Sequence, residues 1–189
     1  MKRFTFIISA LLIMQFFAVS TAFSSNQNQV KRTINIVMKS IKYKRDSRAT
    51  RYIDFTQMGK NLMGSYWYKM TPAQKKEMTR SIKHLIVKKT FSAGREMFGY
   101  FDYITVIKSR FRGNKAKVKV LIVVNRLRKR YKIDFGLKKS GGQWKIVEIY
   151  MLGEGIIETV RDDEVKPLIR KGGIPAVMKA LRREVRNYK

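Results

Sequence analysis

At 189 residues the chain can form one domain with a sizeable core, or a domain with a small helical appendage, and is too short for two full domains. An apolar fraction of 44%, with 11 Phe and 9 Tyr, excludes a disordered composition. The formal charge of +29 points to polyanionic partners, and the absence of Cys excludes disulfides, a thiol nucleophile and a lipidated cysteine anchor.

The chain opens with Lys2 and Arg3, an uncharged apolar stretch from Phe4 to Val19, and Ser20-Thr21-Ala22, a small-x-small site. This pattern predicts an export signal over residues 1–22, cleaved after Ala22. Read instead as an uncleaved anchor, the stretch falls just short of the roughly 17 to 25 residues that span a bilayer. Removing the segment takes away two positive charges and no negative ones, leaving +27. In the cytosol such a charge would suggest nucleic acid, which releases counterions when cations bind. Export turns the expectation toward lipid headgroups, where each Lys or Arg near an anionic surface contributes about 1 kcal/mol. A merely solvated basic surface is the plain alternative.

After polar residues 23–29, Val30, Ile34, Val37, Met38 and Ile41 recur at helical spacing and predict an amphipathic helix over about 28–44. A charge-rich connection follows over 42–51. Asp54 is a candidate N-cap for a short helix that buries Met58 and Leu62. Thr71-Pro72-Ala73-Gln74 combines an N-cap, proline at the first helical position and the third-residue partner of a capping box. It predicts a helix from Pro72 to about Ser92, interrupted at Gly94, with Met78, Ile82, Leu85 and Ile86 as its apolar stripe. His84 on that helix has no second His or Cys to share a metal, so packing or surface exposure is the expected role.

From about residue 98 the period becomes that of strands. Four are predicted, at Tyr103–Ser109, Lys115–Asn125, Arg128–Lys138 and Gln143–Leu152, with turns at Arg112-Gly113-Asn114 and Ser140-Gly141-Gly142. Val118, Val120, Ile122 and Val124 share one face, as do Tyr131, Ile133, Phe135 and Leu137. Leu121, Val123, Val147, Ile149 and Met151 add apolar surface beyond simple alternation, which helices must cover or a ligand must fill. A helix over 156–170, a Gly172-Gly173 break and a last helix over 174–187 close the chain, the last burying Ile174, Val177, Leu181 and Val185. Its many cations suit approach to an anionic surface, or equally a solvated helix face.

Helices followed by a curved antiparallel sheet make an α+β layout, a nuclear transport factor 2-like cone, which hosts enzymes and ligand holders alike. The sequence has no G-x-S-x-G, HExxH or phosphate-cradling glycine loop. Asp134 and Glu148 on neighbouring strands could do acid-base work, but ion pairing with nearby Lys and Arg is the simpler expectation. A secreted enzyme of this fold using Asp134 or His84 stays as the alternative.

The ordered set Asp54-Phe55-x-x-Met58, Leu62-x-Gly64-x-x-Trp67, Thr71-Pro72-x-Gln74, Thr90-Phe91, Trp144-Lys145-Ile146-Val147-Glu148, Gly153, Arg161 and Arg170-Lys171-Gly172-Gly173-Ile174 resembles the MlaC family. These are periplasmic phospholipid-binding, toluene-tolerance auxiliary proteins. The chain departs from the family pattern at Leu152, Glu154-Gly155 and Thr159-Val160. The resemblance implies one lipid-binding domain over 23–189, with a helical extension from about 156. It implies a periplasmic, non-enzymatic carrier that shuttles phospholipid between an outer-membrane lipoprotein complex and an inner-membrane ABC transporter, touching membrane surfaces only transiently. A hopanoid-associated branch of the family is the alternative. No metal, nucleic acid or cofactor other than the bound phospholipid is implied. On this reading Val118, Val120, Ile122, Tyr131, Ile133, Phe135, Val147 and Ile149 line the acyl tails and Arg161 meets the headgroup at the rim.

Overall fold

The computed structural model describes residues 25–98, 101–151 and 153–188, so the expected export signal over 1–22 lies outside the described residues. Helix α1 covers residues 25–42 and buries Val30, Ile34, Val37 and Met38 through the three-four spacing that predicts it. The charged connection after it contains one short helix, α2 (Asp46–Thr50). Helix α3 (Phe55–Met63) begins where Asp54 accepts the Gln57 N–H at 2.8 Å.

A tight turn over Gly64–Lys69 leads to α4 (Pro72–Leu85), which starts at the expected reciprocal cap. Thr71 Oγ1 accepts the Gln74 N–H at 3.2 Å, and the Gln74 side chain accepts the Thr71 N–H at 2.9 Å. Gly94 does not interrupt this helix, contrary to expectation. A wide π turn at Ile86–Thr90 carries the chain on into α5 (Phe91–Phe98), and Phe91, 2% exposed, pins the continuation to the core. The packing of that ring outweighs the modest helical penalty of one glycine.

The sheet is an antiparallel meander of β1 (Tyr103–Arg112), β2 (Lys115–Val124), β3 (Lys129–Ser140), β4 (Gln143–Met151) and a two-residue β5 (Glu154–Gly155), in that order. The fifth strand adds to the four expected; two residues are too few to show an alternating pattern. Two irregularities set which side chains face the helices. In β1 the register shifts between Val106 and Lys108, so Ile104 and Val106 stand opposite Ile122 and Val120, whereas Ser109 and Phe111 stand opposite Val118 and Ala116. In β4, Ile146 pairs with Leu137 and Glu148 with Gly136, which leaves Val147 as the extra residue.

The helices cover one face of the sheet, giving the α+β class expected. Val118, Val120 and Ile122 are fully buried on that face, while Lys115, Lys117 and Lys119 alternate on the other. At the hairpin-turn end the covering is tight: Trp144 is 1% exposed and meets Phe111 edge-to-face with centroids 5.6 Å apart. Its indole N–H donates to Asn26 Oδ1 at 3.3 Å, and Thr33 Oγ1 donates to the Trp144 carbonyl at 3.1 Å, which fastens α1 across the strands. Residues Tyr52 and Asp54 exchange two backbone bonds of 2.9 Å with Ile146, covering that part of the β4 edge.

The C-terminal segment runs from α6 (Ile156–Val160) through a π turn at Arg161–Val165 into α7 (Lys166–Asn187). The expected break at Gly172-Gly173 is present as a kink, with Gly173 at φ 64°. Val177 and Met178 are buried, and Ile174, Leu181 and Val185 are half-buried. Arg182 holds Glu77 of α4 through two bonds of 2.6 and 2.9 Å. No helix among the described residues is long and apolar enough to cross a membrane.

Gly59 of α3 supports the ring of Trp67, since a Cβ there would lie 2.9 Å from Trp67 Cζ3. Gly59→Ala is expected to lower stability by about 1 to 3 kcal/mol through overpacking, read as a lower melting temperature with unchanged helical circular dichroism.

Candidate functional site

Toward the opposite end of the sheet an apolar cavity of about 190 Å³ opens between the helices and the strands. The strands supply Ile133, Phe135, Ile146, Ile149 and Met151, α1 supplies Val37, Met38 and Ile41, and the π turn and α5 supply Ile86, Thr90, Phe91, Ala93 and Gly94. Phe101 and Ile156 complete much of the wall. Met151 is 52% exposed and Ile156 37%, so these two mark the mouth. One cation belongs to the lining: Lys42 Nζ donates to the Phe101 carbonyl at 2.6 Å and sits 4.3 Å from the centre of the Phe101 ring. Such a cavity can exchange water for hydrocarbon, while a cation at its edge can meet an anionic group.

The residues singled out from sequence divide into three groups. Ile133, Phe135 and Ile149 stand in the cavity wall. Val118, Val120 and Ile122 are fully buried in the core between sheet and helices, with half-buried Tyr131 packed against that core. Val147 and Arg161 lie elsewhere, in a basic cleft on the outward side of the sheet that also takes in Arg110, Arg112, Lys117 and Glu148. The bulge at Val147 moves it out of step with Ile146 and Ile149. Arg161 is held by Asp162 at 2.7 Å and Glu158 at 3.1 Å.

Sequence reasoning missed the contribution of α5 and Phe101, because a helical stripe looks the same whether it meets solid core or a cavity. The available signal was Ala93-Gly94, two small residues on a helix that faces Ile41.

The groups considered for acid-base work are engaged separately. His84 Nε2 lies 3.0 Å from the Tyr188 carbonyl on the helical side, and Asp134 faces Lys119 across the strands at 4.0 Å on the outward side. Glu148 does not pair with a cation as expected. Its Oε1 accepts the N–H groups of Ile149 at 2.9 Å and Ile157 at 3.0 Å, capping α6, which has no side-chain cap of its own. Gly136 and Gly155 leave the room it needs, since a Cβ on either would come within 2.9 and 3.2 Å of the Glu148 side chain. Burial raises the Glu148 pKa above the ordinary carboxylate value, against the lowering effect of those N–H bonds. No group of acidic or His side chains suited to a metal occurs among the described residues.

A family model described as MlaC protein matches residues 18–183. A solved structure of a phospholipid-binding protein from Ralstonia solanacearum, in complex with a phospholipid, superposes with a TM-score of 0.71 at 18% identity, covering 86% of this chain and 97% of that one. At that identity the likeness establishes the shared fold. A Campylobacter jejuni protein described as NTF2-like aligns over 64% of this chain and 95% of its own, with 15% identity and a TM-score of 0.41. No curated protein matches the sequence significantly.

The Glu148 cap has a pH signature of unusual sign. Its raised pKa means that the folded state binds the proton more tightly than the unfolded state, so the proton-linked part of its contribution is greatest in acid and is lost as pH rises above about 4.5, while the two N–H bonds remain. Glu148→Gln keeps an acceptor for the two N–H groups and is expected to flatten this component of stability in melts taken from pH 4 to 7. Glu148→Ala removes the cap and is expected to cost about 1 to 2 kcal/mol across the range.

Proposed function

Since this chain belongs to the MlaC family, we propose that it binds a phospholipid by its acyl chains in the cavity between α1, α5 and the sheet, and carries it between membranes. The family supports binding and transport rather than catalysis. The observation that carries the reading is the almost wholly hydrocarbon lining of the cavity, with Lys42 at its edge.

A diacyl lipid has roughly 30 methylenes, each contributing about 0.8 kcal/mol when removed from water, so a carrier that competes with a bilayer must bury nearly all of them. A cavity of about 190 Å³ lies below the roughly 300 to 1,000 Å³ usual for ligand sites, so tails enter as the walls part. The π turn at Ile86–Thr90 is the natural place for this, because it interrupts the regular helical ladder and puts Ile86 and Thr90 in the lining. Ile133, Phe135 and Ile149 then line the tails, and Lys42 takes the headgroup role that the sequence assigned to Arg161. The core residues Val118 and Val120 flank that wall on β2, directly opposite Phe135 and Ile133, with Ile122 beyond them. The wider reading is that export places the chain in the periplasm, where it exchanges lipid with an outer-membrane lipoprotein complex and an inner-membrane ABC transporter.

Native mass spectrometry of the protein purified from a bacterial periplasm, followed by organic extraction, tests this directly. Equimolar co-purified phospholipid is the expected result; an empty protein that also takes none from liposomes would sink it. Ile133→Trp narrows the cavity, and excluding two methylenes at about 0.8 kcal/mol each is expected to reduce retained lipid about tenfold while circular dichroism stays unchanged.

A further inference from the structure

Most of the large exposed apolar side chains among the described residues gather at one end of the sheet: Tyr103, Leu127, Met151 and Ile156 lie where the cavity opens and Tyr43 directly follows the cavity residue Lys42, while Tyr66 and Tyr68 stand on the turn after α3 and Ile107 within β1. The turns at the other end, around Gly113-Asn114 and Gly141-Gly142, expose only small and polar groups. At the centre of the open end stands the β2–β3 turn, Asn125 to Arg128. Leu127 is 50% exposed at its tip, and Arg128, Lys129 and Arg130 follow, all exposed.

This tip is held in shape. The Asn125 N–H donates to Asp102 Oδ2 at 2.6 Å, the Asp102 N–H donates to the Val123 carbonyl at 2.9 Å, and the Arg128 N–H donates to the Asn125 carbonyl at 2.9 Å. Arg128 adopts a left-handed conformation, φ 49° and ψ 32°, in which glycine would be free of strain. Phe101, one residue before Asp102, belongs to the cavity wall, so the turn is tied to the mouth. Along β3, the four-residue step from Lys129 to the lining residue Ile133 is about 14 Å.

An apolar tip ringed by cations fits the boundary between headgroups and acyl chains of an anionic bilayer: the leucine enters the apolar layer while the cations meet phosphate. The nearby acids are few, since Asp102 is engaged with the turn and Glu154 stands on the far edge strand. The geometry points to the β2–β3 turn as a membrane-docking tip that sets the mouth of the cavity against an anionic bilayer. This inference draws its purpose from the phospholipid-carrier reading.

The test uses Leu127→Trp in the full chain, mixed with phosphatidylglycerol vesicles or phosphatidylcholine vesicles. Trp67 and Trp144 are buried, so the difference spectrum against wild type reports position 127 itself and is not confused by membrane binding through residues 4–19. Expected is a blue shift with quenching by brominated lipid on the anionic vesicles only, weakened by salt. Adding Lys129→Glu and Arg130→Glu should reduce this binding by about fivefold or more for each cation removed. An unchanged spectrum, equal response to both lipids, or recognition of an acidic protein without vesicle binding overturns the proposal. Extraction of the same samples separates the two readings: vesicle docking by an empty protein removes the carrier, whereas bound phospholipid without docking removes the tip.

Discussion

The inward face of the four long strands is apolar and must be withdrawn from water, but the helices cover it completely only at one end. Around Trp144 the covering is tight, because Asn26 and Thr33 bond to that residue and Phe111 packs on its ring. Farther along, Ile133, Phe135, Ile149 and Met151 continue the apolar face, and α1 and α5 stand over it with a cavity left between. The cavity is therefore continuous with the core and made of the same residue types. Its position follows from where the helices are fastened.

The two strand irregularities are central to this arrangement. The shift beside Ile107 changes the inward set of β1 from Ile104 and Val106 to Ser109 and Phe111, so that Phe111 reaches Trp144. The extra residue Val147 turns Glu148 to the outward side, where its carboxylate can reach the start of α6. That bond fixes Ile156 at the cavity mouth, linking a buried acid on one side of the sheet to the opening on the other. A net charge of +29 is tolerated because the cations sit mainly on the outward sheet face and on exposed helix faces, where water screens them.

Much of the fold was legible in the sequence because it rests on local chemistry. The Asp54 cap, the reciprocal cap at Thr71 and Gln74, and the strand alternation need only near neighbours in the chain. The errors came where distant packing outweighed local preference: Gly94 remains helical beside Ile41 because Phe91 is buried, and Glu148 caps a helix rather than pairing with a cation. Of the tail-lining candidates, Ile133, Phe135 and Ile149 reach the cavity wall, while Val118, Val120 and Ile122 fill the core; nothing in their side chains distinguishes the two settings.

By itself the sequence determined the element types, the helix starts, the apolar face of the sheet, the basic charge and the family resemblance, since all of these are written in residue identity and spacing. The tertiary structure alone decided where that apolar face is left uncovered, which cation stands at the opening and where Val147 and Arg161 point. Those depend on the register of β4 against β3 and on where the helices are fastened to the sheet, which is set by contacts between residues as far apart in the chain as Thr33 and Trp144.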